Sequence, residues 1–551
     1  MNLSVERSYW WYKEPLSRLQ RLGLGVATGL LAALAWHPVG ATLLIFVAFV
    51  PLLLAGEDIA AQGRGRRGWR FWGVAYLALF LFNLITTWWI KNATVEGAAA
   101  AIILNAALMT IPLAVYYRTR LRWGVVAGLC TLVPAWLLFE KIHLGWELSW
   151  PWLTLGNVFC NRVSWVQWYS VTGHLGGSAW VWWVNAILFL GFCHADRKHL
   201  AKAVCWATAV VLLLLTVSLS MAPFAIDHLP RTEVVAVQPN IDPYLQKFEG
   251  SPGFIPYEQQ VARMERLSDS LITPKTRWVL WPETALDASL SEDAPHAEPL
   301  LRRLQAWVDA HPGLNLVVGA TTYHVYPADS APAGARRSAQ GDRYDVYNTA
   351  LHLQAGNPQI GIYHKSKLVP GVEGIPYPGA LSLLNSLAIN LGGTSGGLGR
   401  QPEREVFATA NGAQRLAPAI CYESVFGDFM ADFARQGGQA IAIITNDAGW
   451  GNTAGHQQHL LLARLRAVEE RRWVARSANT GISGFIDPAG NLSDTLGYGR
   501  MGAVRRSIGL SDQTTGYMLW GDAGLILLIV AFCIWLGRTS LPIGEAWLRR
   551  S

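Results

Sequence analysis

The sequence predicts a membrane α-helical bundle of about eight transmembrane helices joined to an α/β layered domain. Three observations carry that expectation. Of the 551 residues, 51% are hydrophobic and only 15% are charged, too apolar a balance for an ordinary soluble enzyme. Apolar segments recur at 20–36, 39–55, 71–90, 98–117, 123–139, 179–193 and 202–221, with one more at 519–537. Most approach the roughly 20 residues that a helix needs to cross about 30 Å of hydrocarbon. Between the seventh and eighth segments, short β-rich runs alternate with helical patterns, which argues a layered α/β domain. The 26 tryptophans agree, because indole rings collect at membrane interfaces.

The first two apolar segments are short and meet at His37-Pro38, reading as a tilted or re-entrant hairpin. A second apolar segment follows the first at once, so the first reads as an anchor and not as a cleaved signal. Basic residues then set the topology. Arg7, Lys13, Arg18 and Arg21 precede the first span, and Arg64, Arg66, Arg67 and Arg70 follow the second. Arg118, Arg120 and Arg122 follow the fourth, Arg197, Lys198 and Lys202 the sixth, and Arg538, Arg549 and Arg550 the last. The alternate loops hold only Lys91 in one, and Lys141 with Arg162 in another. Positive loops stay cytoplasmic, so both termini are expected inside and residues 222–518 outside. The net charge of +7 is thus topology, and nucleic acid is not an expected partner. The expected domains are 1–222, with an aromatic external loop at 140–178, then 223–512, then 513–551. That loop carries Trp146, Trp150, Trp152, Trp165, Trp168 and Tyr169 with Gly173, Gly176 and Gly177. It reads either as an aromatic belt or as a shelf helping to form an acyl-chain pocket.

In the polar interval, strands are expected at 233–238, 278–282, 314–320, 347–353, 358–363, 415–421, 440–446, 473–478 and 482–487. Helices are expected at 256–272, 296–311, 424–436 and 456–472, the last with apolar positions at i, i+3, i+4 and i+7. Residues 327–345 show no apolar period and read as a surface loop. The apolar, Gly-rich stretch 379–399 reads either as a lid dipping into lipid or as an ordinary core helix.

Three segments carry chemistry. Glu283 lies just past a strand in WVLWPETA, Lys365 ends another in IYHKSKLVPGVE, and Cys421 ends a third in LAPAICYES. Six cysteines without a CxxC pair argue against a zinc site or a disulfide framework. Cys421 stands alone between Cys205 and Cys533, at the strand end where α/β folds place reactive groups. A thiol of pKa about 8.5 needs a base and a cation to react at neutral pH. Glu283 can take its proton and return it to a leaving group. Lys365, with a backbone N–H after Cys421, can hold an oxyanion.

Residues 233–508 resemble a nitrilase-superfamily domain, whose hallmark is a Glu-Lys-Cys triad in this order on an αββα sandwich. Nearly the whole chain resembles the apolipoprotein N-acyltransferase family, in which that domain faces the periplasm between the seventh and eighth membrane helices. The resemblance rests on WPETA (281–285), YHKSKLVP (363–370), CYE (421–423), TND (445–447) and the run 463–490. It implies Glu283 as general base, Lys365 as oxyanion-stabilising cation and Cys421 as nucleophile. Glu373 and Glu423 would be two further acids around the triad, and Tyr422 and Asn348 pocket residues. Family members often read VPFGE where this chain has VPGVE at 369–373, which alters the turn aiming Glu373. After Asp447 the site-forming loop carries Trp450, His456 and His459. The two histidines are expected to cap the helix or line the cleft; a metal site is not expected.

The activity so implied is transfer of an acyl chain from a membrane phospholipid, through a cysteine thioester, to the α-amino group of an N-terminal diacylglyceryl-cysteine. Apolipoproteins would be the acceptors, at a bacterial inner membrane. Amide formation from a thioester runs downhill, so no cofactor is expected. The rivals are a membrane-tethered amidase, in which water resolves the thioester, and a silent scaffold docking a glycosyltransferase. A transporter is disfavoured, because the spans hold few ionisable groups.

Overall fold

A computed structural model describes residues 14–62, 65–193, 197–221, 229–327, 329–332, 335–374 and 397–548, with side chains as far as 536. The chain divides into two compact units, one of residues 1–88, 98–222 and 520–551, the other of 89–97 and 223–519.

The first unit is helical. It contains α1 (Arg18–Ala35), α2 (Val50–Ala61), α3 (Arg67–Thr87), α4 (Val95–Trp123), α5 (Val125–Gly145), α6 (Tyr169–Phe192) and α7 (Arg197–Ser220). Most of a final helix, Gly516–Leu548, completes it. Seven helices among the described residues are long and apolar enough to cross a membrane, the first being Thr42–Ala61 and the last Gly516–Leu536. The shorter α1 is not one of them; it carries Arg18 and Arg21 in its first turn. Two acids buried among these helices, Glu57 and Asp58, are each paired with an arginine, which offsets the cost of their burial. Arg120 grips Glu57 through two hydrogen bonds of 2.5 and 2.6 Å, and Arg21 meets Asp58 at 2.5 Å. The segment expected as an external loop at 140–178 is shorter than that, because α5 runs to Gly145 and α6 starts at Tyr169. Trp152, Trp168 and Tyr169 are buried, and Phe159 stacks on Trp180 at 5.0 Å. These rings are interior packing, while Trp146, Trp150 and Trp165 of the same segment are half-buried.

The second unit is built on two sheets. The first holds β1 (Arg231–Gln238), β2 (Thr276–Leu280), β3 (Leu286–Ser291), β4 (Asn315–Tyr326), β5 (Arg336–Arg337), β6 (Arg343–Gln354) and β7 (Asn357–His364). The second holds β8 (Phe407–Ala408), β9 (Arg415–Ile420), β10 (Ala440–Thr445), β11 (Val474–Ala478), β12 (Ser483–Ile486) and β13 (Leu492–Leu496), while β14 (Gly502–Gly509) returns to the first. Their orders are β14-β1-β2-β4-β6-β5, with β3 beside β4 and β7 beside β6, and β13-β12-β11-β10-β9-β8. In each sheet the central three, β1-β2-β4 and β9-β10-β11, are parallel and read as near-continuous apolar runs.

Helices α8 (Tyr257–Asp269) and α9 (Pro299–Asp309) bury Met264 and Leu304 against Val235, Val279 and Leu316 of the first sheet. Helices α10 (Gly427–Arg435) and α11 (Ala454–Glu470) belong with the second sheet. The two sheets meet through Ser477 Oγ donating to the Val237 carbonyl at 2.7 Å and Ser483 Oγ donating to Gln238 Oε1 at 2.6 Å. The architecture is the expected αββα sandwich.

Nine expected strands stand within a few residues of their places. The 327–345 loop is corrected: β5 lies inside it and β6 already begins at Arg343. Alternation there is hidden because Tyr344 to Val346 are all half-buried at the sheet rim. Of the 379–399 stretch, residues 379–396 lie outside the described residues.

Candidate active site

The three candidate side chains sit just past the carboxyl ends of strands, where open α/β sheets gather reactive groups. Glu283 is the third residue after β2, Lys365 follows β7 directly, and Cys421 follows β9 directly. The chain turns sharply at two of these points, with φ of 47° at Thr284 and 51° at Cys421. Such values cost a non-glycine residue roughly 1–3 kcal/mol and persist only where the surroundings impose them. Gly319 on β4 makes room for the first turn. A Cβ there would lie 2.5 Å from Glu283 Cα and from the Pro282 carbonyl oxygen, both backbone atoms. Gly319→Ala is therefore expected to destabilise the unit by about 1–3 kcal/mol through overpacking. A thermal melt checks this, and an unchanged midpoint would show that the strand end yields freely.

The side chains converge in a dry cluster, with Glu283 6%, Lys365 1% and Cys421 6% exposed. Lys365 Nζ donates to Glu283 Oε1 at 2.9 Å and to Glu373 Oε1 at 2.8 Å. Asn348 Nδ2 donates to the same two oxygens, at 2.8 and 3.0 Å. The remaining oxygens take backbone N–H groups, Asn446 on Glu283 Oε2 and Val369 on Glu373 Oε2, both at 2.9 Å. The Cys421 thiol lies close enough to the pair for the charges of Glu283 and Lys365 both to act on it.

The electrostatics follow from this packing. Burial pushes the Cys421 thiol well above the usual thiol range and Glu283 adds to the rise, against the pull of Lys365. Burial works to raise Glu283 as well, but the Lys365 charge and the donors from Lys365 and Asn348 outweigh it and hold the carboxyl below its ordinary value. For Lys365, burial opposes the charge, while Glu283 and Glu373 hold the ammonium well above its ordinary value. At neutral pH the site is a thiol beside a carboxylate beside an ammonium. Such a set can move a proton from sulfur to carboxylate and meet a developing oxyanion with a cation.

Of the supporting candidates, Glu373 and Asn348 join the cluster directly. Glu423 stands at one remove. Its Oε1 accepts from Tyr363 Oη and the Ser366 N–H, both at 2.7 Å, and its Oε2 from the Ile420 N–H at 2.8 Å. It thereby ties the strand ending at Lys365 to the strand ending at Cys421. Burial raises its carboxyl. Tyr422 is buried and sets its ring edge-to-face on Phe426, centroids 5.0 Å apart.

Trp450 lies between two rings, Trp89 at 5.1 Å and His459 at 5.5 Å, and Asn92 Nδ2 donates to its carbonyl at 2.9 Å. Trp89 and Asn92 come from the α3–α4 connection, which sequence reasoning passed over.

The two histidines do not cap α11; Thr453 does, its hydroxyl accepting from the Gly455 N–H. Nor do they converge on each other. His456 meets Asn452 Oδ1 at 3.1 Å and the Tyr498 ring, whereas His459 points inward to Asp447 Oδ1 at 2.9 Å. Cys421, Asp447 and His459 each offer a ligand atom, all within 4.8 Å of one another, a third partner that the sequence did not reveal. The Arg476 guanidinium already neutralises that carboxylate, at 2.6 Å from Asp447 Oδ2. Arg476 was findable: an arginine inside the apolar strand WVARSA must have a buried acid waiting for it.

Comparison with known proteins accords with this architecture. A family model described as carbon-nitrogen hydrolase matches residues 250–512, and one described as apolipoprotein N-acyltransferase N-terminal domain matches residues 28–187. The chain is similar to an apolipoprotein N-acyltransferase of Chlorobaculum tepidum, 29% identical over 94% of this chain and 98% of the relative. It is 31% identical to one of Sinorhizobium medicae, over 94% of this chain and 96% of the relative. Among solved structures it is similar to an amidase from Nesterenkonia sp., with 17% identity and a TM-score of 0.35 over 54% of this chain and 96% of that one.

Proposed function

This chain belongs to the apolipoprotein N-acyltransferase family, and from that premise we propose that it carries an acyl chain from a membrane phospholipid, as a thioester on Cys421, to the α-amino group of an N-terminal diacylglyceryl-cysteine. The observation that carries the reading is the buried ammonium of Lys365 held between Glu283 and Glu373, with the buried Cys421 thiol within reach of the Glu283 and Lys365 charges.

In the first half-reaction Cys421 Sγ attacks the ester carbonyl carbon while its proton passes to Glu283. Lys365, with a backbone N–H beside the thiol, stabilises the oxyanion. The carbon–oxygen bond then breaks, and Glu283 returns the proton to the departing alcohol, a lysophospholipid. In the second half-reaction the acceptor amine attacks the thioester carbonyl and gives a proton to Glu283. The sulfur leaves and takes that proton back, and an amide remains. Atoms and charges balance with no further reactant. Burial of all three groups supports transfer over hydrolysis, because a dry site keeps water from the thioester.

The protein is a multi-pass membrane protein. We place both termini in the cytoplasm and residues 223–512 in the periplasm, on the strength of the basic loops. On this reading residues 1–222 and 513–551 form the membrane part, and phospholipid and lipoprotein both reach the site from the bilayer.

The test uses the full chain in mixed micelles with acyl-labelled phospholipid. Label is expected on Cys421, released by neutral hydroxylamine, and moved into an amide when a diacylglyceryl-cysteinyl peptide is added. Label appearing only as free fatty acid would favour an amidase-like hydrolase, and no label on Cys421 would remove the proposed nucleophile.

A further inference from the structure

The fully buried network behind Cys421 has no part in the steps above. His459 Nε2 lies 3.0 Å from the Cys421 carbonyl oxygen, and Ser424 Oγ donates to the same oxygen at 2.8 Å. Ser424 Oγ is also 3.0 Å from Nε2, so the nitrogen, the hydroxyl and the carbonyl form one cluster; a carbonyl only accepts, and any hydrogen bond between it and the imidazole is donated by Nε2. On the other side Nδ1 faces Asp447 Oδ1 at 2.9 Å. Asp447 is itself pinned by Arg476 Nη2 at 2.6 Å and by Thr445 Oγ1 at 2.9 Å. Burial would raise the Asp447 carboxyl, but Arg476 and His459 outweigh it and hold it below the usual carboxylate range. The Trp450 ring closes on the imidazole at 82°. His459, Asp447 and Arg476 are each 1% exposed or less.

The peptide carbonyl so gripped belongs to the one residue of the triad whose own backbone is left-handed, with φ of 51°. Without those donors, Cys421 would relax toward the ordinary right-handed or extended regions, which are lower in energy for a residue with a side chain. That rotation swings the Cα–Cβ bond and carries the sulfur away from Glu283.

We propose that His459 is a positioning residue for the acyl-transfer reaction, holding the Cys421 carbonyl so that the strained turn keeps the thiol on Glu283 and Lys365, with Asp447 and Arg476 orienting the imidazole. It touches no reacting atom. The inference rests on Cys421 being the nucleophile.

The experiment measures single-turnover thioester formation from phospholipid by the full chain in micelles, with a thermal melt for each variant. His459→Leu is expected to slow acylation about 100-fold, the penalty of a reacting group displaced by about 1 Å. The phospholipid KM should stay within about twofold, since no binding contact is removed. Glutamine places an amide N–H where Nε2 stands, whereas asparagine reaches only as far as Nδ1. His459→Gln is therefore expected to acylate about fivefold faster than His459→Asn, since a charge-free hydrogen bond is worth about 1 kcal/mol. Should His459→Leu fail to fold, the glutamine-to-asparagine comparison carries the test. Equal rates for those two, or a folded leucine variant acylating like wild type, would overturn the proposal. No thioester on wild type would instead overturn the functional reading beneath it.

Discussion

Replacing Glu283 with glutamine is expected to lower acyl transfer by about 10²–10⁴-fold, the range a positioned general base supplies. The same change is expected to make the Cys421 thiol easier to ionise. After burial, the Glu283 charge is the largest influence raising that thiol, and Lys365 opposes it. With the charge removed, Lys365 acts against one carboxylate fewer, so the thiolate fraction rises. Alkylation by iodoacetamide near neutral pH should thus be faster in Glu283→Gln than in wild type while acyl transfer collapses. Two rates moving in opposite directions identify Glu283 as the carrier of a proton. If both fell together, Glu283 would be holding the shape of the site and nothing more. Some loss of stability is expected besides, because the Asn446 N–H now donating to Glu283 Oε2 would face an amide in place of an oxygen if the Lys365 side kept the carbonyl. An unsatisfied buried donor costs about 1–3 kcal/mol. A melting curve separates that cost from the kinetic one.

The strands before Glu283 and Cys421 were legible because each is a short apolar run broken by a charged or reactive residue past its carboxyl end, whereas the strand before Lys365, NPQIGIYH, is half-exposed and carries its apolar residues only from Ile360 onward. The helices were legible from amphipathic spacing, and α11 begins at Ala454 where 456 was expected. What escaped were the pieces that only tertiary pairing makes into strands. β14 reads GAVRRSIG, and nothing in it announces that all eight residues pair with β1. β3 and β13 read LDASLS and LSDTL, polar enough for loops, and take their extended form from β4 and β12. The positioning network escaped for another reason. Asp447, His459 and Arg476 stand on three different elements; the first two have innocent readings alone, as a loop acid and a helix-start histidine, and Arg476 announces only that some buried acid must meet it. Only their common burial, with no water to satisfy them, forces them onto one another. The α3–α4 connection is the sharpest case. It reads as a bare loop between membrane spans, yet Trp89 packs on Gly455 so tightly that a Cβ there would lie 2.6 Å from the indole.

Removing the cation is the more severe change for the fold. Lys365→Met would leave Glu283 and Glu373 buried and facing each other across the space that the ammonium bridged at 2.9 and 2.8 Å. Breaking a buried ion pair from one side costs roughly 3–5 kcal/mol. The pH dependence has a definite sign. In wild type Glu283 lies below its ordinary value of 4.5, so its stabilising contribution is present above that pH and fades as pH falls through the lower folded value. In the variant the pull of the Lys365 charge is gone, and burial with the like charge of Glu373 is opposed only by neutral donors such as Asn348, so the folded value moves above 4.5. Stability is then retained in acid and lost as pH rises. The melting curves of wild type and variant should therefore lie closest in mild acid and diverge toward neutral pH. A gap that stayed constant with pH would mean that Lys365 acts by packing and not by charge. The double change Lys365→Met with Glu373→Gln removes one of the stranded carboxylates and should recover part of the lost stability near neutral pH. Acyl transfer should not return with it, because an oxyanion would still meet no cation. Recovery of the fold without recovery of activity would show that the ammonium has two separable tasks, one in holding two acids together and one in the chemistry between them.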